Sequence, residues 1–164
     1  MFVLDSHCDT PSAILRGRDI ILDNPYAHVD FPKLLRGGVD GVFFALYVPA
    51  SLDHDPQAAY NYAMRLLSGV KSAIWKCSEI AEFVTDCTTA LKNKNLRRLS
   101  VFLGLENGSP LSPQGNWKKV LSEFYAAGVR YMTLCHSAHN EICDSCAPAS
   151  QRWNGLSPFG REVV

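Results

Sequence analysis

Short, predominantly apolar stretches alternate along this chain with longer stretches in which apolar residues recur every three or four positions. A strand that is apolar on both faces is typical of a parallel sheet covered by helices. The first short stretch instead ends in polar residues. We predict four strands, at FVLDSH (2–7), GVFFALYVP (41–49), LSVFLGLENG (99–108) and VRYMTLCH (129–136).

The segments between these strands have the periodicity of amphipathic helices. Pro32 is expected to begin a short helix, which Gly37 and Gly38 end. The longest helix is predicted to follow Asp55 and Pro56. Its apolar stripe consists of Tyr62, Leu66, Val70 and Ile74.

Three further helices are predicted in the remaining segments. Ser78 is expected to begin one, and Gly128 to end another that has the clearest apolar spacing in the chain. Ser157 and Pro158 begin the last, shortly before Val164. The apolar residues of the Ser78 helix are Ile80, Phe83, Val84, Cys87 and Leu91, and those of the helix before Gly128 are Trp117, Val120, Leu121, Phe124 and Tyr125.

The repeated order of strand and helix predicts an α/β fold with a parallel sheet and right-handed crossovers. About four βα units are half of an eightfold (β/α) barrel of the TIM type. Because the last helix has barely begun at Val164, we expect residues 1–164 to be the amino-terminal half of such a barrel, with the remainder absent.

Composition and charge narrow the class of protein. Hydrophobic residues make up 47% of the chain, and the 16 basic residues balance the 16 acidic ones. This balance argues against a nucleic-acid partner, which would require a basic surface. No apolar run is long enough to span a bilayer, and no leader sequence is evident. We therefore expect no transmembrane segment and a cytoplasmic location, although a partial chain can lack its leader.

The six cysteines are scattered through the predicted strands and helices, which favours free thiols over a disulfide framework. Cys143 and Cys146 form a single CxxC pair. A structural zinc site usually requires a second pair of ligands. Cys135 and His139 lie nearby in the sequence, so a small zinc knuckle is left open as a weaker alternative.

Titratable side chains occur where three of the predicted strands end. Side chains two positions apart on a strand point the same way, so His7 and Asp9 are expected to share one cation. Glu106 ends the third strand, and its two oxygens could bridge two metal ions roughly 3.5–4 Å apart. His136 ends the fourth strand. Nitrogen and carboxylate ligands together suit Zn²⁺, with Mn²⁺ or Co²⁺ as substitutes.

Each of these signals is ordinary when it is taken alone. An H-x-D sequence is most often a polar strand end, Glu106-Asn107-Gly108 is a common turn, and a lone histidine is often a hydrogen-bonded core residue. Their joint position at strand ends favours a metal site. Asp5 is expected either to orient the His7 imidazole or simply to face water.

Five stretches of the sequence resemble the renal-type, or membrane, dipeptidase family of zinc metallopeptidases. They occur in the order found in that family and extend through essentially the whole chain. They are DSHCDTP, GGVDGVFFALYVP, GLENG, GVRYMTLCHSAHNEICDS and GLSPFGREVV.

The resemblance implies a (β/α)₈ barrel that hydrolyses dipeptides at a two-metal centre, usually of zinc. It implies that His7 and Asp9 bind one metal and that Glu106 is the catalytic ligand bridging both. His136 would bind the substrate near the scissile carbonyl, and a metal-bridging water would be the nucleophile. Substrates would be dipeptides, sometimes with a D-residue at the C-terminal position.

This sequence departs from the family pattern because the later ligands have no counterpart in it. The family takes two further histidines and a catalytic aspartate from later strands. We therefore expect one Zn²⁺ or none in this chain, against two in a complete enzyme, and little hydrolysis by the chain alone.

An open sheet edge favours association, either as a homo-oligomer or with the missing half. Two alternatives to a dipeptidase are left open. One is a non-catalytic truncated fragment that self-associates through its open sheet, and the other is a related metal-dependent amidohydrolase.

Overall fold

A computed structural model describes all residues from Met1 to Val164 and contains five strands and six α-helices. The strands are β1 (Leu4–Cys8), β2 (Gly41–Tyr47), β3 (Ala81–Phe83), β4 (Leu99–Glu106) and β5 (Val129–Met132). The helices are α1 (Thr10–Leu15), α2 (Phe31–Arg36), α3 (Pro56–Lys76), α4 (Cys87–Asn95), α5 (Trp117–Ala127) and α6 (Pro158–Val163). A 3₁₀ turn covers Ala50–Leu52.

The strands form one sheet in the order β1-β2-β4-β3, and β5 also pairs with β4. The pairing of β1 with β2 and that of β3 with β4 are both parallel. The predicted α/β class with a parallel sheet is therefore confirmed. The order also places β4, which ends at Glu106, two positions away from β1.

The segment after Ser78 was predicted incorrectly as a single helix. It contains the short strand β3 and then helix α4, so the chain has five βα units rather than about four. The spacing of Ile80, Phe83 and Val84 fits both states, and periodicity cannot separate a short buried strand from a helix. Asp86, rather than Ser78, is the residue that caps the start of α4. Its carboxylate accepts hydrogen bonds from the backbone N–H and the hydroxyl of Thr89.

Capping residues explain where several helices begin. Asp30 accepts a hydrogen bond from the backbone N–H of Lys33 at the start of α2, and Ser157 accepts one from Gly160 at the start of α6. Each satisfies a donor that has no partner inside the helix. At the other end of α5, Gly128 has φ of +106°, the left-handed conformation that commonly ends a helix.

The chain divides into two compact units. The first unit consists of residues 1–46 and 65–104. Stacked aromatic rings form part of its core: Phe31 lies on Phe44 with ring centroids 6.3 Å apart, and Phe43 lies on Phe102 at 4.8 Å. Such pairs add to the stabilisation that comes from burying the rings.

The second unit consists of residues 47–64 and 105–164. Leu111, Ile142, Cys143 and Phe159 form a buried cluster in it. The Phe159 ring packs edge-on against Trp117 at a centroid distance of 5.8 Å. This contact fixes α6 against α5.

The segment after β5 is organised around the carboxylate of Asp144. Three backbone N–H groups donate to it, from Arg152, Trp153 and Gly155, at 2.9–3.1 Å. Burial opposes ionisation of Asp144, but these hydrogen bonds outweigh it and lower the pKa of the carboxyl from its ordinary 3.8. One ionised side chain therefore orders about ten residues of loop.

None of the helices combines the length and the apolar character needed to cross a lipid bilayer.

Replacing Gly160 by alanine is expected to destabilise the fold, because a Cβ at this position would overlap the carbonyl oxygen of Ile142. Overpacking of this kind typically costs about 1–3 kcal/mol. The free energy of unfolding in urea measures the effect. Gly115→Ala is the control, since the nearest atom to a Cβ there is 3.7 Å away. Equal stability of the two variants would contradict the close packing of α6.

Replacing Asp144 by asparagine is expected to reduce the loss of stability in acid. Because the folded-state pKa lies below the unfolded value of 3.8, the contribution of Asp144 is present above about pH 4 and is lost as the pH falls through the lowered pKa. Unfolding midpoints between about pH 7 and about pH 2 measure this slope. Glu79→Gln removes the same charge from an exposed position, and identical slopes in both variants would rule out the effect.

Candidate functional site

His7 and Asp9 come together at the junction between β1 and α1. The strand ends at Cys8, and Asp9 (φ −81°, ψ 11°) is the residue immediately before α1. His7 Nε2 and Asp9 Oδ1 lie 3.5 Å apart. The two side chains are therefore close, although Asp9 lies just beyond β1, in the turn into α1, rather than on the strand.

Neighbouring residues anchor this junction while leaving the Asp9 carboxylate available. Cys8 is buried, and its Sγ lies 3.2 Å from the hydroxyl of Thr10. Asp5 Oδ1 accepts a hydrogen bond from the backbone N–H of His7 at 3.1 Å, so Asp5 supports the backbone of His7. Asp9 occupies the position before α1 but makes no side-chain capping bond there.

Glu106 and His136 lie side by side at the ends of β4 and β5. Glu106 Oε1 is 3.5 Å from His136 Nε2, and the Glu106 side chain is only 12% exposed. The His136 ring packs edge-on against Tyr47 with centroids 4.8 Å apart. The imidazole is 41% exposed, so it combines a fixed ring position with access from solvent.

His7 and Asp9 are spaced as two ligands of one cation would be. Ligands of a tetrahedral zinc are about 3.3 Å apart when the bonds are about 2.0–2.1 Å long. The 3.5 Å between His7 Nε2 and Asp9 Oδ1 is close to that spacing. An imidazole nitrogen and a carboxylate oxygen are donors that fit a divalent cation.

Sequence reasoning missed a buried polar network beside Glu106. Asn107, which was interpreted as part of an ordinary turn, is fully buried and has φ of +78°. Its backbone N–H donates to Thr133 Oγ1 at 2.9 Å. An asparagine between a candidate ligand and a glycine was the available signal, but the sequence could not show which distant residues surround its amide.

The remaining histidines and cysteines are not part of this cluster. His28 and His54 are exposed. His139 Nε2 lies 2.7 Å from the carbonyl oxygen of Ser150, and its Nδ1 accepts a hydrogen bond from the backbone N–H of Ser145. Its ring nitrogens are therefore engaged by the loop rather than arranged for a zinc knuckle.

All six cysteines are unpaired thiols. Burial and a hydrogen bond with Cys135 raise the pKa of the Cys143 thiol to about 12. The thiol form therefore predominates at neutral pH.

Relatives and solved structures point to one family. A sequence model of the membrane dipeptidase family (peptidase family M19) matches residues 1–164. The chain is 29% identical to dipeptidase aclJ of Aspergillus oryzae over 148 residues, which are 87% of this chain and 34% of that protein. It is therefore about a third of the length of that relative.

Two solved bacterial structures have the same fold. The probable dipeptidase PvdM of Pseudomonas aeruginosa superposes with a TM-score of 0.82 at 18% identity, covering 99% of this chain and 43% of PvdM. A metallopeptidase of Rhodobacter sphaeroides, solved with a phosphinate mimic of the dipeptide L-Ala-D-Ala, also gives 0.82, at 19% identity and with 54% of its chain covered. These matches confirm the predicted fold, a truncated (β/α) barrel of the TIM type.

The family match extends over every residue of the chain, and the curated relative and the solved structures agree with it. This chain belongs to the membrane dipeptidase family, peptidase family M19.

Proposed function

We propose that this chain is the amino-terminal half of a metal-dependent dipeptidase and supplies the ligands of one metal ion. The observation that carries the proposal is the match of the whole chain to a dipeptidase family, together with two close pairs of candidate side chains. His7 Nε2 lies 3.5 Å from Asp9 Oδ1, and Glu106 Oε1 lies 3.5 Å from His136 Nε2. Titratable side chains that lie this close together are typical of functional sites.

His7, Asp9 and Glu106 hold the cation in this proposal, and Zn²⁺ suits their nitrogen and oxygen donors. A bound divalent cation supplies Lewis-acid polarisation of the scissile carbonyl and lowers the pKa of a water molecule. Glu106 is the least exposed of the three, and its second oxygen is the atom that would reach a second metal. It is therefore the proposed catalytic ligand shared between two ions.

His136 binds the substrate in this proposal rather than a metal. Tyr47 packs against its ring and Ser145 donates a hydrogen bond to its backbone carbonyl at 2.6 Å, so the imidazole is oriented in advance. Its Nε2 faces Glu106 at 3.5 Å. An N–H at this position can donate to the oxygen of a peptide carbonyl as negative charge develops there.

Dipeptides are the proposed substrates, including those with a D-residue at the C-terminal position. The support is the family of the chain and its structural likeness to the Rhodobacter sphaeroides peptidase. Because this chain is less than two thirds of the length of its relatives, the activity of a whole protein is proposed from a part of it. Self-association or association with a missing half, and a cytoplasmic location, stay predictions.

Metal binding tests the role of the three ligands directly. Titration of the chain with Zn²⁺ in a calorimeter is expected to show one site. His7→Ala and Glu106→Gln are each expected to weaken binding by more than about 100-fold, because each removes a donor from the first coordination sphere. His54→Ala is the matched control, since it removes an exposed histidine outside the cluster. Undiminished affinity in His7→Ala would refute the site.

Hydrolysis tests the reaction. The 164-residue chain with Zn²⁺ is expected to hydrolyse L-Ala-D-Ala only weakly, since one carboxylate alone cannot retain a second zinc ion. The same chain within its full reading frame is expected to be active, and His136→Ala there is expected to lower kcat/KM by about 100-fold or more. Turnover of a cyclic amide, but of no dipeptide, would favour the alternative amidohydrolase.

A further inference from the structure

We propose that Asn107 is a positioning residue, whose buried side-chain amide fixes Glu106 and His136 relative to each other. The inference rests on the proposed function, because Glu106 is there a metal ligand. Asn107 touches neither a metal nor a substrate in this proposal. It acts through the backbone of Glu106 and through the loops that follow β2 and β5.

The Asn107 amide has partners on both its nitrogen and its oxygen. Its Nδ2 donates to the carbonyl oxygen of Val48 at 3.0 Å and to Asp53 Oδ1 at 2.8 Å. Its Oδ1 accepts from Asn140 Nδ2 at 3.1 Å and lies 2.8 Å from Ser109 Oγ. Both donors of the amide are therefore satisfied, while the one hydroxyl proton of Ser109 is shared between Asn107 Oδ1 and Asp53 Oδ1.

Val48 connects the Asn107 amide to the backbone of Glu106, and its neighbour Tyr47 contacts His136. Its carbonyl accepts from Asn107 Nδ2, while its backbone N–H donates to the carbonyl oxygen of Glu106 at 2.9 Å. Val48 therefore binds the backbone of Glu106 and the side chain of Asn107, and it holds both residues beside the end of β2. Tyr47, which precedes Val48, packs against the ring of His136.

The loop after β5 is held by the same network. Asn140 donates to Asn107 Oδ1 and also to the carbonyl oxygen of Leu134 at 2.7 Å. The Asn107 backbone N–H donates to Thr133 Oγ1. These bonds hold Thr133 and Leu134, which precede His136, and Asn140, which follows it.

Two unfavourable features at this position argue that the network has a purpose beyond folding. Asn107 is the only buried residue among the three non-glycine residues with positive φ. Asp53, whose Oδ1 lies within hydrogen-bonding distance of Ser109 Oγ, has a second oxygen, Oδ2, that is buried without a hydrogen-bond partner. Backbone strain and unpaired buried polar atoms tend to concentrate at functional sites.

The packing next to Asn107 leaves little freedom for a different arrangement. A Cβ on Gly108 would lie 2.5 Å from Ile142 Cδ1 and 3.0 Å from the carbonyl oxygen of Leu134. The backbone that follows Glu106 is therefore confined on one side by the apolar cluster. Loss of the Asn107 amide is expected to let the Glu106 backbone move, because the hydrogen bonds of the amide restrain it on the side away from this cluster.

Zn²⁺ affinity of the Asn107→Gly variant tests the proposal. Glycine accepts the positive φ without strain, so the variant removes the amide but keeps the backbone conformation accessible. We expect its affinity for Zn²⁺, measured by calorimetry well below its melting temperature, to fall about 10- to 100-fold, as for other residues that orient metal ligands. The absorption spectrum of the Co²⁺-loaded chain is expected to change as well.

Asn93→Ala is the matched control. Asn93 is also a buried asparagine, and it donates to Ser100 Oγ at 3.2 Å within α4 and β4 rather than to any residue of the network. It is expected to lower the melting temperature but to leave the Zn²⁺ affinity and the Co²⁺ spectrum unchanged. The comparison separates a general loss of stability from a loss of ligand positioning.

The outcomes distinguish this inference from the proposed function. If Asn107→Gly binds Zn²⁺ as tightly as the unmodified chain, Asn107 has no positioning role, although the metal site stands. If the unmodified chain binds no Zn²⁺, the proposed function fails and this inference with it. Should Asn107→Gly not fold, Ser109→Ala removes one bond of the same network, and unchanged affinity in that variant would also refute the role of Asn107.

Discussion

The backbone at the end of β4 is held in place by hydrogen bonds from the residues that follow β2 and β5, and the candidate site depends on this arrangement. Glu106 brings a carboxylate to this point, and Asn107 takes the chain out of the strand in a left-handed conformation. A metal ligand must hold its position to within a few tenths of an ångström. The buried amide of Asn107 contributes to such rigidity because its partners Val48 and Asn140 lie in two different segments, after β2 and after β5.

The two pairs of candidate side chains are built in different ways. His7 and Asp9 lie at an exposed junction of strand and helix, where the contacts are between neighbours in the sequence. Glu106 and His136 are held by contacts between residues far apart in sequence. The first pair therefore depends on a local turn, and the second depends on tertiary packing.

Much of the fold could be predicted because strand and helix periodicities are properties of short segments. The long helix α3 and the helix α5 were predicted from their apolar stripes, and Gly128 ends α5 as expected. The strand β3 was missed because three residues with one buried position carry no periodic signal. Asp9 was expected on the strand with His7, but β1 ends at Cys8 and Asp9 immediately precedes α1.

The sequence by itself determined the class of fold, the family resemblance and the four side chains that are candidates for chemistry, because each is visible in a short motif or a local period. Only the tertiary structure decided that Glu106 Oε1 lies 3.5 Å from His136 Nε2 and that Asn107 joins Val48, Asp53 and Asn140. The physical reason is that hydrogen bonds and metal coordination depend on the distances between atoms, and those distances are set by how the segments pack rather than by their order along the chain.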